Sequence, residues 1–237
     1  MHKKIRLNAA ALAGLLIILF FLIIAVFAPV IAPYDPKEMI ASYLPPSREH
    51  LLGTNDVGQD IFSEMVYGTR VSLYIGIFAA FIVTGVGTVL ALVSGYFGGV
   101  TDKIITAITN IAMAVPSLPL TVLLVAYLNP GKWSLIIAIS VTAWTGTARI
   151  LRSRVMQLKE LPFIKIEKTM GVHPVVILFK HILPNIKDII LTRGAMAISG
   201  AMMTEAGLSF LGLGEFGETS WGSVLHYACF RTSIMKK

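Results

Sequence analysis

The chain has 237 residues, of which 55% are hydrophobic and 14% are charged, with a net charge of +7 at pH 7 and a mean hydropathy of +0.76. Soluble domains carry about 25% charged residues, so this composition excludes an ordinary water-soluble protein and indicates an integral membrane protein. A single cysteine, Cys229, excludes an internal disulfide and a cysteine-based metal cluster.

Uncharged stretches divide the chain into predicted membrane spans. Four of them lack any Asp, Glu, Lys or Arg, and they cover residues 7–34, 71–101, 104–131 and 133–148. About 20 apolar residues cross a bilayer, so the first three are long enough and the fourth is marginal. A fifth apolar run follows Asp188. The first run exceeds the roughly 7–15 apolar residues of a signal-peptide core, which predicts a retained anchor and first span.

The charged residues between the runs predict the orientation. With a cytoplasmic N-terminus, residues 33–70 lie outside and carry three basic and six acidic side chains. Residues 149–188 then lie inside and carry eight basic and three acidic side chains. This asymmetry follows the positive-inside rule, and the basic start of the chain agrees with it. No run carries a series of acids or histidines, which argues against a proton-driven carrier with an intramembrane relay.

Acidic residues of the outer segment are spaced at i, i+4 and i+8: Asp56, Asp60 and Glu64. They could attract a cation such as nickel or a basic peptide. The preferred interpretation is a solvated helix face that contacts an external partner.

The inner segment ELPFIKIEKTMGVHPVVILFKHILPN, residues 160–185, predicts a short amphipathic helix followed by a turn. Pro162 suits the first helical turn, and Gly171 suits a left-handed helix end. Pro174 begins a new segment, and Pro184 predicts another break before the next span. An apolar stripe at i, i+3 and i+7 is formed by Phe163, Ile166 and Met170. Such a stripe can dock into a partner's groove, or the helix can lie on the lipid surface.

This segment resembles the cytoplasmic loop of ABC importer permeases, whose consensus reads Glu-Ala-Ala, three residues, Gly, and a distal Leu-Pro. Three more segments resemble the dipeptide, oligopeptide and nickel permeases of that family, specifically the second, C-type subunit. They are LGTNDVGQDIFSEMVYGTRVSL (residues 52–73), GYFGGVTDKIITAITNIAMAVPSLPL (95–120) and EAGLSFLGLGEFGETSWGSVL (205–225). The resemblance covers residues 7–225 in the family's order.

The resemblance implies an all-α, polytopic transmembrane helix bundle of the type I ABC importer permease kind. It also implies four kinds of partner: a B-type permease subunit, two cytoplasmic ABC ATPases, an external solute-binding protein and the lipid bilayer. ATP is then bound by the ATPases, so no cofactor, metal, nucleic acid or enzymatic activity is expected of this chain. In agreement, GLSFLGLG lacks the Lys-Ser/Thr pair of a phosphate-binding loop. The implied ATPase-coupling residues are Phe163, Lys165, Ile166, Glu167, Met170, Gly171, His173, Leu183 and Pro184.

Two departures from the family stand out. Counting back from Gly171, the consensus Glu-Ala-Ala falls on residues 165–167, so Lys165 replaces the leading acid. This reversal predicts either a co-varied ATPase surface or weakened coupling, and Glu167 is the acid that could take over. The final residues, HYACFRTSIMKK, are too short and too polar for the family's sixth span, which leaves about five.

Two charged residues interrupt the fifth run. Glu205 is a candidate for a pathway or gate residue, and an acid at an interfacial helix end is an equal alternative. Arg193 is expected to extend its side chain to the cytoplasmic surface.

We therefore predict a permease subunit of an ATP-driven importer of peptides or nickel in the cytoplasmic membrane. Residues 1–70 form the N-terminal tail, first span and external loop, residues 71–225 the permease core with its coupling loop at about 150–187, and residues 226–237 a short tail. The alternatives are a truncated or decayed permease that acts as a non-transporting scaffold, and a self-sufficient secondary carrier.

Overall fold

A computed structural model describes residues 9–129, 131–214 and 217–232. Over these ranges the regular structure is helical, with no β-strand, and residues 32–60 form an irregular segment between two helices. The first five helices are α1 (Ala9–Val26), α2 (Ala28–Ile31), α3 (Ile61–Phe97), α4 (Gly99–Ala114) and α5 (Ser117–Leu128). They are followed by α6 (Lys132–Lys159), α7 (Pro162–Thr169), α8 (Pro174–Ile177), a π-helical turn (Leu178–Ile182), α9 (Leu183–Phe210) and α10 (Trp221–Thr232). The chain forms two compact units, Ile75–Glu205 and a second one made of Met1–Tyr74 and Ala206–Lys237.

Among the described residues, three helices are long and apolar enough to cross a membrane: α1, α3 and α6. Helices α4 and α5 meet this criterion only together, and they are bent by 88° relative to each other. Residues 104–131, which the sequence predicts to be long enough for a span, therefore belong mainly to two helices that meet at a sharp bend, and a span here stays a prediction. The bend occurs at Val115 and Pro116, because a proline forces the preceding residue into an extended conformation, here with ψ 127°. Helix α9 contains four charged side chains and does not meet the criterion, so the count of five spans stays a prediction.

Helix α3 begins ten residues before the predicted span because Asp60 caps it. The Asp60 carboxylate accepts hydrogen bonds from the Ser63 backbone N–H and hydroxyl, both at 2.8 Å, and lies 3.0 Å from Nδ1 of His50. Glu64, in the first turn, accepts a hydrogen bond from Asn55 at 3.2 Å. Both acids are buried. The prediction of a solvated acidic face is therefore wrong for Asp60 and Glu64. Their hydrogen bonds to His50 and Asn55 hold the segment before α3 against the start of that helix.

Within Ile75–Glu205, helices α3 and α6 pack closely at glycines. A Cβ on Gly87 would lie 2.9 Å from the Thr147 Cβ, and a Cβ on Gly95 would lie 2.8 Å from the Val155 Cβ. Glycine at these positions lets the two helices approach each other closely. Close approach strengthens the van der Waals packing that holds helices together in lipid.

The predicted short C-terminal tail, residues 226–237, begins within α10, which extends to Thr232, and residues 233–237 lie outside the described ranges. The helix is fixed to α3 at its start. Trp221 donates its indole N–H to the Thr69 hydroxyl at 3.1 Å, and a Cβ on Gly222 would collide with the backbone of Ala206.

Candidate coupling loop

The local structure of the 160–185 loop follows the proline and glycine pattern of its sequence. Helix α7 begins at Pro162, whose missing N–H is not needed in a first turn. The helix ends before Gly171, which has a φ of +78°. The Val172 N–H donates a hydrogen bond to the Glu167 carbonyl at 3.1 Å, which closes the helix end. These predicted boundaries are confirmed.

Ile164 anchors α7 to the helix bundle. Its side chain is buried in a hydrophobic cluster, and the other members of that cluster are Ala91, Leu92, Tyr96, Leu151, Val155, Leu158, Ile177, Leu178, Ile182 and Ile186. Ile164 is not part of the predicted stripe, because the i, i+3 and i+7 pattern begins one position earlier, at Phe163. Only the neighbouring helices α3, α6 and α9 show which side of α7 is inside.

The predicted stripe is on the exposed side of α7. Phe163 is 43% exposed, Ile166 57% and Met170 76%. Apart from the edge-on contact of the Phe163 ring with His181, at 6.2 Å between centroids, no ring contact holds the stripe among the described residues. Three adjacent apolar side chains on a short, anchored helix form a surface that can bind a partner.

The charged residues of α7 face two different ways. Lys165 forms an exposed ion pair with Glu160 at 2.9 Å, and this contact holds the pKa of the Glu160 carboxyl below its ordinary value. Glu167 is half-buried and lies 2.8 Å from Nε2 of His181. The Glu167 carboxylate is therefore engaged within its own chain. The exposed side chain at the position of the consensus acid is that of Lys165.

The second half of the loop is continuous helix. His173 caps α8 by accepting a hydrogen bond from the Val175 N–H at 3.4 Å, and α8 begins at Pro174 as predicted. The predicted break at Pro184 is wrong. Pro184 lies where the π-helical turn passes into α9. The Leu183 N–H bonds to the Leu178 carbonyl five residues back, and this change of hydrogen-bond register lets the helix continue through a residue that has no N–H. Leu183 packs against the buried cluster, and Pro184 is exposed.

An ion pair fixes α6, the helix that leads into α7. Arg152 contacts both oxygens of the Asp102 carboxylate at 2.6 Å, and the Ser94 hydroxyl also bonds to Asp102. Paired bonds of this kind hold both side chains in one orientation. Helices α3, α4 and α6 are thus joined about two turns before residue 160.

Glu205 is fully buried in α9, five residues before the helix ends at Phe210. Gly212, with a φ of +82°, follows that end. The role of Glu205 as a gate stays a prediction.

Comparison with known proteins identifies the family. Residues 87–235 match the family model described as binding-protein-dependent transport system inner membrane component. Residues 1–46 match the N-terminal TM domain of oligopeptide transport permease C. The chain belongs to this permease family. Both the predicted resemblance to a C-type ABC importer permease and the all-α membrane fold class are confirmed.

Individual relatives are similar over most of this permease. It is 39% identical over 224 residues to the oligopeptide transport system permease protein OppC of Bacillus subtilis, covering 93% of this chain and 73% of that protein. It is 36% identical to the dipeptide transport system permease protein DppC of the same organism, covering 93% and 70%. It is 35% identical to the glutathione transport system permease protein GsiD of Pectobacterium atrosepticum, covering 96% and 76%.

A solved structure shares the fold. A chain of the methionine ABC transporter MetNI, in an inward-facing conformation, superimposes with a TM-score of 0.57. The match covers 74% of this permease and 90% of that chain at 18% sequence identity.

Proposed function

We propose that this permease is the C-type membrane subunit of an ATP-driven peptide importer, and that residues 160–185 couple it to a cytoplasmic ATPase. The observation that carries the coupling proposal is the exposed stripe of Phe163, Ile166 and Met170 on a helix whose opposite side is anchored by Ile164. The peptide substrate is proposed because the relatives are named for oligopeptides, dipeptides and glutathione. None of these names refers to nickel, so nickel transport stays a prediction without added support.

The packing of α7 suggests how movement passes into the membrane. Ile164 shares one buried cluster with side chains of α3, α6 and α9. Close-packed interiors transmit displacement because they compress little. When the ATPases close around ATP, the α7 stripe moves with them, and the attached helices switch between inward- and outward-facing arrangements. The N-terminus and the loop are then cytoplasmic, and a B-type permease and an external solute-binding protein complete the transporter.

The test is reconstitution of the whole transporter in proteoliposomes. We expect uptake of a labelled peptide mixture that requires ATP inside and the solute-binding protein outside. Uptake by this chain alone, driven by an ion gradient, would instead establish a secondary carrier. Failure of the ATPases to co-purify with either the natural chain or Lys165→Glu would establish a scaffold without transport.

A further inference from the structure

Glu167 and His181 form a polar contact between α7 and the π-helical turn. Nε2 of His181 lies 2.8 Å from Oε1 of Glu167, and about a quarter of each side chain is exposed, 24% and 25%. An ionised carboxylate only accepts hydrogen bonds, so Nε2 carries the hydrogen and donates it. The second carboxylate oxygen, Oε2, is buried and has no hydrogen-bond partner among the described residues. The Glu167 carboxylate therefore depends on His181 for its hydrogen bond.

This contact is a second attachment point for α7. The first is Ile164, which is buried in the hydrophobic cluster. Glu167 follows Ile164 by three residues, so both side chains lie on the same face of the helix. Helix α7 has only eight residues, and a helix this short is not stable without contacts to the rest of the protein. One apolar anchor lets such a helix tilt, whereas two anchors about one turn apart fix its direction.

His181 also joins this attachment point to the exposed stripe. Its ring contacts the Phe163 ring edge-on, with 6.2 Å between the centroids. Phe163 and Glu167 are four residues apart, so they are neighbours on the surface of α7 and meet the same imidazole. The π-helical turn that carries His181 begins and ends at residues of the buried cluster and continues into α9. A displacement of Phe163 is therefore passed to α9 through His181.

The acid at position 167 is itself a departure from the family consensus. The consensus Glu-Ala-Ala falls on residues 165–167, so alanine is the consensus residue where this chain has Glu167. Alanine has no group that could accept a hydrogen bond from His181. Glu167 thus makes a contact of its own and does not take the place of the consensus acid at position 165.

We propose that Glu167 and His181 are positioning residues for coupling. Their hydrogen bond fixes the direction of α7, so that a displacement of the stripe by the ATPase moves the π-helical turn and α9 instead of tilting α7 alone. This inference rests on the proposed coupling function. It adds the two residues that determine how closely uptake follows ATP hydrolysis.

The test measures how many labelled alanine peptides, from the dipeptide to the pentapeptide, are imported per ATP hydrolysed by the complete transporter in proteoliposomes. A variant that only assembles less well lowers uptake and hydrolysis together and leaves this ratio unchanged. The ratio therefore distinguishes a role in coupling from a role in stability alone.

The two residues are changed singly and together. His181→Phe keeps a ring beside Phe163 but leaves the half-buried carboxylate without a donor, and we expect the ratio to fall by about tenfold. Glu167→Ala removes the contact without leaving a charge unpaired, and the ratio falls by about threefold. The double variant stays at the level of Glu167→Ala, because the lost N–H has no further effect once the carboxylate is absent. His181→Gln retains an N–H donor and most of the coupling.

The control is Lys187→Ala, which removes an exposed side chain of α9 beyond residues 160–185 and leaves the ratio unchanged. Glu167→Ala is a decisive variant by itself, since alanine favours a helix and preserves α7. An unchanged ratio in Glu167→Ala, or losses that multiply in the double variant, would overturn the positioning role while ATP-driven uptake by the natural transporter still supports the proposed function. If the natural transporter shows no ATP-dependent uptake, the proposed coupling fails, and this inference fails with it.

Discussion

Gly171 follows α7 in a conformation that other residues adopt only at a cost. Its φ is +78°, and no heavy atom lies within 4 Å of the position that a Cβ would occupy. A side chain at this position thus has space, and any penalty arises from the backbone. The left-handed conformation costs about 1–2 kcal/mol for an ordinary L-residue, and a β-branched residue lies at the unfavourable end. Gly171→Val is therefore expected to disfavour this turn by about 2 kcal/mol.

The expected result for Gly171→Val is that ATP hydrolysis no longer drives uptake, although the permease is still inserted in the membrane. A 2 kcal/mol penalty shifts the conformational equilibrium of the loop by about thirtyfold. ATP-dependent uptake by Gly171→Val therefore falls by about this factor, while ATP hydrolysis and the amount of inserted permease stay close to natural levels. Gly171→Asn is the control, because asparagine tolerates the left-handed conformation, and it keeps most of the uptake. Normal uptake by the valine variant, or equal losses in both variants, would refute the backbone explanation.

Two further predictions concern packing. Asp102→Asn weakens the paired contact with Arg152 and is expected to lower the free energy of unfolding by about 2 kcal/mol. For a chain of this length, that loss lowers the Tm of the purified permease by about 4–8 °C. The exposed Arg154→Gln is the matched control, and an equal shift there would contradict the assigned contact. Gly95→Leu places a side chain against α6 and reduces the fraction of monodisperse permease in size-exclusion chromatography. Gly85→Leu enters open space and leaves that fraction unchanged, so similar losses in both leucine variants would show that close helix packing is not the cause.

The sequence predicted features that depend on neighbouring residues along the chain. The limits of α7 at Pro162 and Gly171 follow from local backbone preferences, and the apolar runs follow from the composition of each segment. The stripe on α7 was also visible, because a helical repeat fixes which side chains share a face.

The features that the sequence did not predict depend on contacts that no spacing rule specifies, within a folded loop for Asp60 and Glu64 and between helices for Ile164. Asp60 and Glu64 looked like surface acids because their partners His50, Ser63 and Asn55 are not recognisable as partners from their spacing. The burial of Ile164 requires the neighbouring helices.

The same limit applies to Arg193, which the sequence analysis expected to extend to the cytoplasmic surface. The Arg193 Nη2 lies 3.3 Å from the position that a Cβ on Gly146, in a different helix, would occupy. A charge count treats this arginine like any basic residue near the end of a span. The packing of α6 against α9 distinguishes it.

The central claim is that the exposed stripe of α7 contacts a cytoplasmic ATPase. The direct measurement is photo-cross-linking in the assembled transporter, with p-benzoylphenylalanine placed at Met170. Leu191 in α9 is the control position, since its side chain is 71% exposed and that of Met170 is 76% exposed. We predict a cross-link from position 170 to the ATPase and none from position 191. Labelling of lipid alone from position 170, with the ATPases present and active, would contradict the coupling role and place α7 on the membrane surface.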